Sequence, residues 1–188
     1  AAGLSKRMKL GNKLLLEKNN TTIIQSTLER IKASKVNEIV VVLGRDSNIL
    51  KSKIKGDNIV LIKNQHYRNG ISTSIKKGLE KVNKESIGAM ICLGDMPWIK
   101  TFTYDKIIKS FYKNNKKNIV PYFKYTKGNP VLFNKIFFEK LMKINGDKGA
   151  KLLIKRYSEY FLKLSVSDEG VLKDIDDEEQ YLSFLKNV

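Results

Sequence analysis

Four short stretches of this 188-residue chain combine residue types that bind phosphates and divalent cations. The opening run Ala1-Ala2-Gly3-Leu4-Ser5-Lys6-Arg7-Met8 sets small residues beside a hydroxyl and two cations, with Lys13 shortly after. Small side chains let backbone N–H groups approach a phosphate, and Ser5 adds a donor. Arg7 offers a planar fork to phosphate oxygens, and Lys13 a mobile point charge. The GxxxxGK[ST] spacing of a P-loop is absent. In Leu93-Gly94-Asp95-Met96-Pro97 an acid follows directly on an apolar run, and the proline delays any helix. A carboxylate so placed suits Mg²⁺, which takes one or two acids together with phosphate oxygens and water; a turn or helix-cap role for Asp95 is the plainer reading. Asn69-Gly70-Ile71-Ser72-Thr73-Ser74 leads into a helical pattern, where free N–H groups and hydroxyls suit a phosphate or ribose, or where Ser72 simply caps the helix. Asp174-Ile175-Asp176-Asp177 precedes the last helix, as dipole caps or as a second metal ligand.

The elements that must hold these stretches alternate in type. Glu38–Leu43, Ile59–Ile62 and Ile87–Leu93 are continuous apolar runs of the kind a strand buried on both faces requires. Between them lie helical patterns: Ile24, Leu28 and Ile31 on one face behind a Thr22 N-cap, then Ile75, Leu79 and Val82, then Ile107, Ile108 and Phe111. Strands at 118–123 and 161–166 and helices at 134–143, 148–157 and 177–185 complete the reading. The predicted fold is α/β: a single Rossmann-like, three-layer domain over residues 1–188, its mostly parallel twisted sheet covered by helices on both faces. In such sheets ligands gather beyond the carboxyl ends of the strands, which is where Asp95 falls. A phosphate loop normally follows a central strand, so an apolar strand ahead of Ala1 is expected.

Composition removes several classes of function. One Cys excludes an intrachain disulfide framework, and one His excludes a multi-histidine zinc site. No apolar run approaches the roughly 18 residues of a membrane span, and no signal-peptide pattern opens the chain, so the expected setting is cytoplasmic. The net charge of +17 (36 Lys and Arg against 19 Asp and Glu) suits an anionic partner, but the lysines are spread evenly and few aromatics lie among them. Nucleic-acid binding is therefore not expected. Cys92, inside an apolar run, is expected to be buried and inert, His66 to be a surface residue, and Trp98, Phe133, Phe137 and Phe138 to pack.

Taken in order, the four stretches resemble the molybdenum-cofactor nucleotidyltransferases, of glycosyltransferase-A-type fold, in their molybdopterin cytidylyltransferase branch. The family's AAGxSxRM loop and downstream lysine correspond to Ala1, Ala2, Gly3, Ser5, Arg7, Met8 and Lys13. Its GxSxSxxxGL segment corresponds to Gly70, Ser72, Ser74, Gly78 and Leu79, and its LGDMP to Leu93–Pro97 in full. A G-x-P-V-L-F stretch (Gly128, Asn129, Pro130 to Phe133), a GDxGA stretch (Gly146, Asp147, Gly149, Ala150) and a D-I-D motif (Asp174 to Asp176) complete the series. Lys9 stands where the family has glycine, Asn129 where His is frequent, and Asp177-Glu178 in place of Thr-Pro.

The resemblance implies transfer of CMP from CTP to the terminal phosphate of molybdopterin, with release of pyrophosphate and with a molybdoenzyme as eventual recipient of the cofactor. It implies Mg²⁺ on Asp95 and Asp176, or Asp174 in the latter's place, and Lys13 and Arg7 neutralising the triphosphate. Ala1, Ala2, Gly3, Ser5, Gly70, Ser72 and Ser74 fall at nucleotide contacts, with Asn64 a further candidate for base or ribose. Gly128, Asn129, Pro130, Gly146, Asp147 and Gly149 fall on the pterin side. Transfer from GTP, another phosphorylated acceptor, and a non-catalytic protein that delivers the cofactor are the alternatives.

Overall fold

The computed structural model describes the whole chain except residues 4–7, 9, 148, 187 and 188. A small antiparallel hairpin, β1 (Glu17–Lys18) and β2 (Thr21–Thr22), turns through Asn19 and Asn20, both at positive φ as a tight hairpin turn requires. It feeds α1 (Ile23–Lys32), started by a capping box: Thr22 Oγ1 accepts from the Gln25 N–H, and Gln25 Oε1 accepts from the Thr22 N–H. Ile23, Ile24, Leu28 and Ile31 bury one face of this helix, as their spacing predicts.

Next come β3 (Ile39–Leu43), α2 (Ser47–Lys53) and β4 (Ile59–Lys63), the two strands paired in parallel from Ile39↔Ile59 to Leu43↔Lys63. Then follow α3 (Ile71–Leu79), β5 (Gly88–Ile91), α4 (Thr101–Lys113), β6 (Asn118–Phe123), β7 (Thr126–Lys127) and β8 (Val131–Asn134). Helices α5 (Phe138–Met142) and α6 (Gly149–Arg156), strand β9 (Phe161–Val166) and helix α7 (Glu178–Lys186) complete the chain. Strand β6 pairs in parallel with β9 over six residues and antiparallel with β7 and β8, and β8 pairs antiparallel with β5. No helix among the described residues is long and apolar enough to cross a membrane.

Strand alternation explains the layers. On β6, Ile119 packs with Ile107 and Phe111 of α4, whereas Val120 packs with Ile75 of α3 and Leu141 of α5. The largest cluster joins β3 to α1, α4 and α7 through Ile24, Val41, Tyr104 and Phe184.

Two expectations need correction. The helix expected over 134–143 is shorter: Val131–Asn134 is a strand, Lys135–Phe137 a 3₁₀ turn capped by the Asn134 side chain, and the α-helix starts at Phe138. Val131–Asn134 pairs with β5 along one edge and with β6 along the other, in keeping with the strand preference of Val131 and Phe133. The run at 59–62 is a strand, but Val60 is exposed and no residue of β4 is fully buried, so the burial on both faces expected there is not met. Helix α2 and the β1–β2 hairpin were not anticipated, being too short to show a periodic pattern. Among the described residues, β3 and β5 each have a ladder partner on one edge only. A cavity of about 710 Å³ runs between them, lined by Ile39–Val42 on one side and Ile87–Gly94 on the other. Ala1 lies beside Gly94.

Candidate active site

The acids that the sequence singles out meet at one end of this cavity. Asp95 follows β5 by a few residues, beyond its carboxyl end. Its loop is pinned on two sides: the Thr27 hydroxyl donates to the Gly94 carbonyl at 3.0 Å, and the Ile175 N–H to the Asp95 carbonyl at 2.9 Å. Ile175 is fully buried, so the C-terminal segment is anchored there and its flanking acids, Asp174 and Asp176, turn toward Asp95. One oxygen from each of the three carboxylates lies within 4.8 Å of the others. The acidic run thus divides its labour. Asp177 accepts from the Gln180 N–H while Gln180 accepts from the Asp177 and Asp176 N–H groups, so Asp177 caps α7.

Lys13 enters this cluster from the N-terminal side. Asn12 caps the 3₁₀ turn Lys13–Leu15, its Oδ1 accepting from the Leu14 N–H and its amide donating to Asp46 Oδ2 at 3.1 Å, while Leu14 is buried in the main core. The Lys13 ammonium donates to Asp176 Oδ1 at 2.6 Å and forms an ion pair with Asp95 Oδ2. Burial works against its charge, but Asp95 and Asp176 outweigh burial and raise its pKa. Asp174 is pushed up by burial, then by the charges of Asp176 and Asp95. Asp95 Oδ1 is buried and has no hydrogen-bond partner among the described residues. A buried carboxylate oxygen without a donor is costly unless a cation or ligand N–H meets it, so these acids fit a divalent ion.

Ala2 is buried against Gly44, where any larger side chain on the glycine would collide with Ala2 and Tyr67, while Gly3 has open space around its α-carbon. Ala1, Gly3, Gly70, Ser74 and Asp147 line the same cavity as Lys13, Asp95 and Asp176. Ser5 and Arg7 lie outside the described residues.

The start of α3 departs from simple N-capping by Ser72. Gly70 takes the N-cap position at φ 99°, and the cap comes from a distant loop: Asp147 Oδ1 accepts from the Ile71 N–H and the Gly146 carbonyl from the Ser72 N–H. The GDxGA and GxSxS stretches are therefore one structural unit, in which Gly70 and Gly146 approach too closely for a side chain on Gly70. Asn64 is buried and internally committed, its amide donating to the Thr73 and Ser74 hydroxyls and its Oδ1 accepting from the His66 N–H. It ties β4 to α3, and it does not line the cavity. The Gly128–Pro130 turn packs on Val171 through the Asn129 N–H to the Val171 carbonyl, also away from the cavity lining. Gly149 opens α6. Asp174 is the residue that sequence reasoning underweighted; its signal was the D-x-D spacing around an apolar anchor.

The remaining side chains take structural parts. Trp98 stacks edge-on with Phe184 at 5.5 Å, Phe133 and Phe137 are core, and His66 is exposed. Cys92 is not fully buried as expected but half-buried on the cavity wall, and its apolar, desolvated surroundings push the thiol up to about 12.

Residues 1–160 match the protein family described as the MobA-like NTP transferase domain. The molybdenum cofactor cytidylyltransferase of Escherichia coli K12 is 26% identical over 187 residues, covering 97% of this chain and 91% of that protein. The nicotine blue oxidoreductase of Paenarthrobacter nicotinovorans is 21% identical over 192 residues, covering 98% and 93%. Among solved structures, Rv0371c of Mycobacterium tuberculosis H37Rv superposes with a TM-score of 0.88 at 24% identity over 100% of this chain and 95% of its own. A structure of Rv0371c in complex with manganese superposes at 0.79, again at 24% identity, over 94% and 92%. With the acids gathered beyond β5 and the family matched over most of the length, the chain belongs to the MobA-like NTP transferase domain family and is a nucleotidyltransferase.

Proposed function

We propose that this nucleotidyltransferase moves CMP from CTP onto the terminal phosphate of molybdopterin, releasing pyrophosphate, in a cytoplasmic setting and ultimately for a molybdoenzyme. The observation that carries the reading is Asp95 Oδ1, buried without a partner among the described residues and beside the carboxylates of Asp174 and Asp176. These three acids would hold Mg²⁺ or a related divalent ion, which when bound supplies charge neutralisation for triphosphate oxygens. The manganese complex of Rv0371c supports that assignment, and the likeness to the E. coli cytidylyltransferase supports the choice of nucleotide and acceptor.

The chemistry asks little of a general base. A phosphate monoester has a second pKa near 6 and is largely dianionic at about pH 7, so the nucleophile is ready as it arrives. The chain's one histidine, exposed in the loop after β4, is not required. What the residues must do is align two polyanions and offset their repulsion. Lys13 and Arg7 would meet the triphosphate, Ser5 would add a donor, and the Ala2-Gly3 backbone is the part of the loop a phosphate or base can approach. Gly70 and Ser74 would flank the nucleotide, and Asp147, on the cavity lining, the acceptor; Ser72 is buried and the Gly128–Pro130 turn lies away from the cavity, so neither is given a contact. The net charge of +17 would favour encounter with both.

Pyrophosphate release measured with CTP and with GTP, each with and without molybdopterin and Mg²⁺, tests this. Turnover is expected with CTP and molybdopterin together. Turnover with GTP alone would overturn the nucleotide choice, turnover with another phosphorylated acceptor but not molybdopterin would overturn the acceptor, and no turnover with any pair would overturn transfer.

A further inference from the structure

Lys13 presents a conflict. The reading above gives its charge to the triphosphate, yet its ammonium is engaged with Asp95 and Asp176, the acids assigned to the metal. Lys13 is itself buried, and it lines the cavity together with those two acids.

We propose that Lys13 is the internal counter-ion of this site, and that an incoming divalent cation and the Lys13 ammonium exchange places on Asp95 and Asp176. The proposal rests on the divalent-metal reading above. Three carboxylates with ligand atoms within 4.8 Å of one another repel strongly when no cation is present. One ammonium bridging two of them from a turn fixed by Asn12 answers that repulsion at the point where a bridging metal would act. Both cations compete for oxygens of the same two acids, and two positive charges a few ångströms apart in a half-buried site oppose each other. The lysine can yield because its charge rides on a four-carbon stem while its backbone stays in the 3₁₀ turn. A metal has more to gain, since an orphaned oxygen of Asp95 and the third acid, Asp174, lie beside it. The exchange then turns Lys13 toward the open part of the cavity, where the triphosphate of the proposed reaction would lie. Metal arrival and the appearance of a phosphate-binding cation become one event.

The test uses the full chain with Mn²⁺ alone. Free Mn²⁺ is followed by electron paramagnetic resonance, and samples along the titration are pulsed with an amine-acylating reagent and mapped by mass spectrometry. Lys13 is expected to label slowly without metal and about tenfold faster or more at saturation, the other lysines keeping their rates, because the exchange moves it from a closed to an open population. The Lys13→Met variant is expected to bind Mn²⁺ about tenfold tighter, as the metal no longer displaces a resident cation. Mn²⁺ bound with Lys13 still protected would overturn the exchange and leave the metal reading standing. No Mn²⁺ bound at millimolar concentration would overturn both. The labelling arm uses the unaltered chain, so the answer does not depend on how well the variant folds.

Discussion

Replacing Asp95 by Asn keeps the shape of the side chain and removes one charge from the centre of the acidic cluster, so it separates the chemical role of Asp95 from its structural one. The stability terms nearly cancel. Asp95 gives up its attraction to Lys13, which Asp176 still holds at 2.6 Å. In exchange, repulsion between Asp95 and the other two acids disappears. Their ligand atoms lie within 4.8 Å, a separation at which unit charges repel by about 3 kcal/mol at an effective dielectric constant near 20. Terms of similar size and opposite sign leave a net change of about 1 kcal/mol or less, a shift in Tm of about 4 °C at most for a chain of this length. The transition state loses much more. Removing one electrostatic contact to developing charge costs about 10²–10³ in rate, about 3–4 kcal/mol. The assay pairs pyrophosphate release with calorimetry on the same preparation. A variant that keeps more than about a tenth of the wild-type rate would refute the role given to Asp95. One that melts more than about 10 °C lower would show that the residue is chiefly structural.

Three further outcomes follow from other parts of the fold. Asp168 is buried, and it accepts from the Lys100 N–H at 2.8 Å, the Thr103 hydroxyl at 2.6 Å and the Gly170 N–H at 3.0 Å; Asp168→Ala is therefore expected to cost about 3 kcal/mol or more and to lower Tm by at least about 6 °C, with an unchanged Tm refuting it. The Cys92 thiol, raised to about 12 by burial, stays protonated at pH 8, with a thiolate fraction of about 10⁻⁴, so thiol reagents should leave the native chain unmodified and react only after unfolding. The sign for stability is fixed as well: a folded pKa above the unfolded value of about 9 means that this group favours the fold below pH 9 and loses that contribution as pH rises toward 12, which a denaturation series across that range would show as falling stability.

Much of the architecture was legible because burial on two faces leaves a continuous apolar run. Ile39–Leu43 and Asn118–Phe123 read as strands from their apolar runs, and the Thr22–Gln25 capping box marked the start of α1 through chemistry local to four residues, whereas the run at 59–62 is a strand that leaves Val60 exposed. The order of the motifs likewise named Asp95, Asp176 and Lys13 with no coordinates at all. Pairings between residues far apart in the chain were decided by the tertiary structure alone. Val131–Asn134 took its place between β5 and β6, and the cap of α3 came from Gly146 and Asp147 instead of Ser72. Asn64 turned inward because the Thr73 and Ser74 hydroxyls reach its amide. Asp174 joined Asp95 and Asp176 because the burial of Ile175 aims its two neighbours at the loop after β5. A sequence encodes which groups are available and the local periodicity that positions them. Which acid meets which cation depends on distances closed by packing across more than a hundred residues, and no local pattern carries that information.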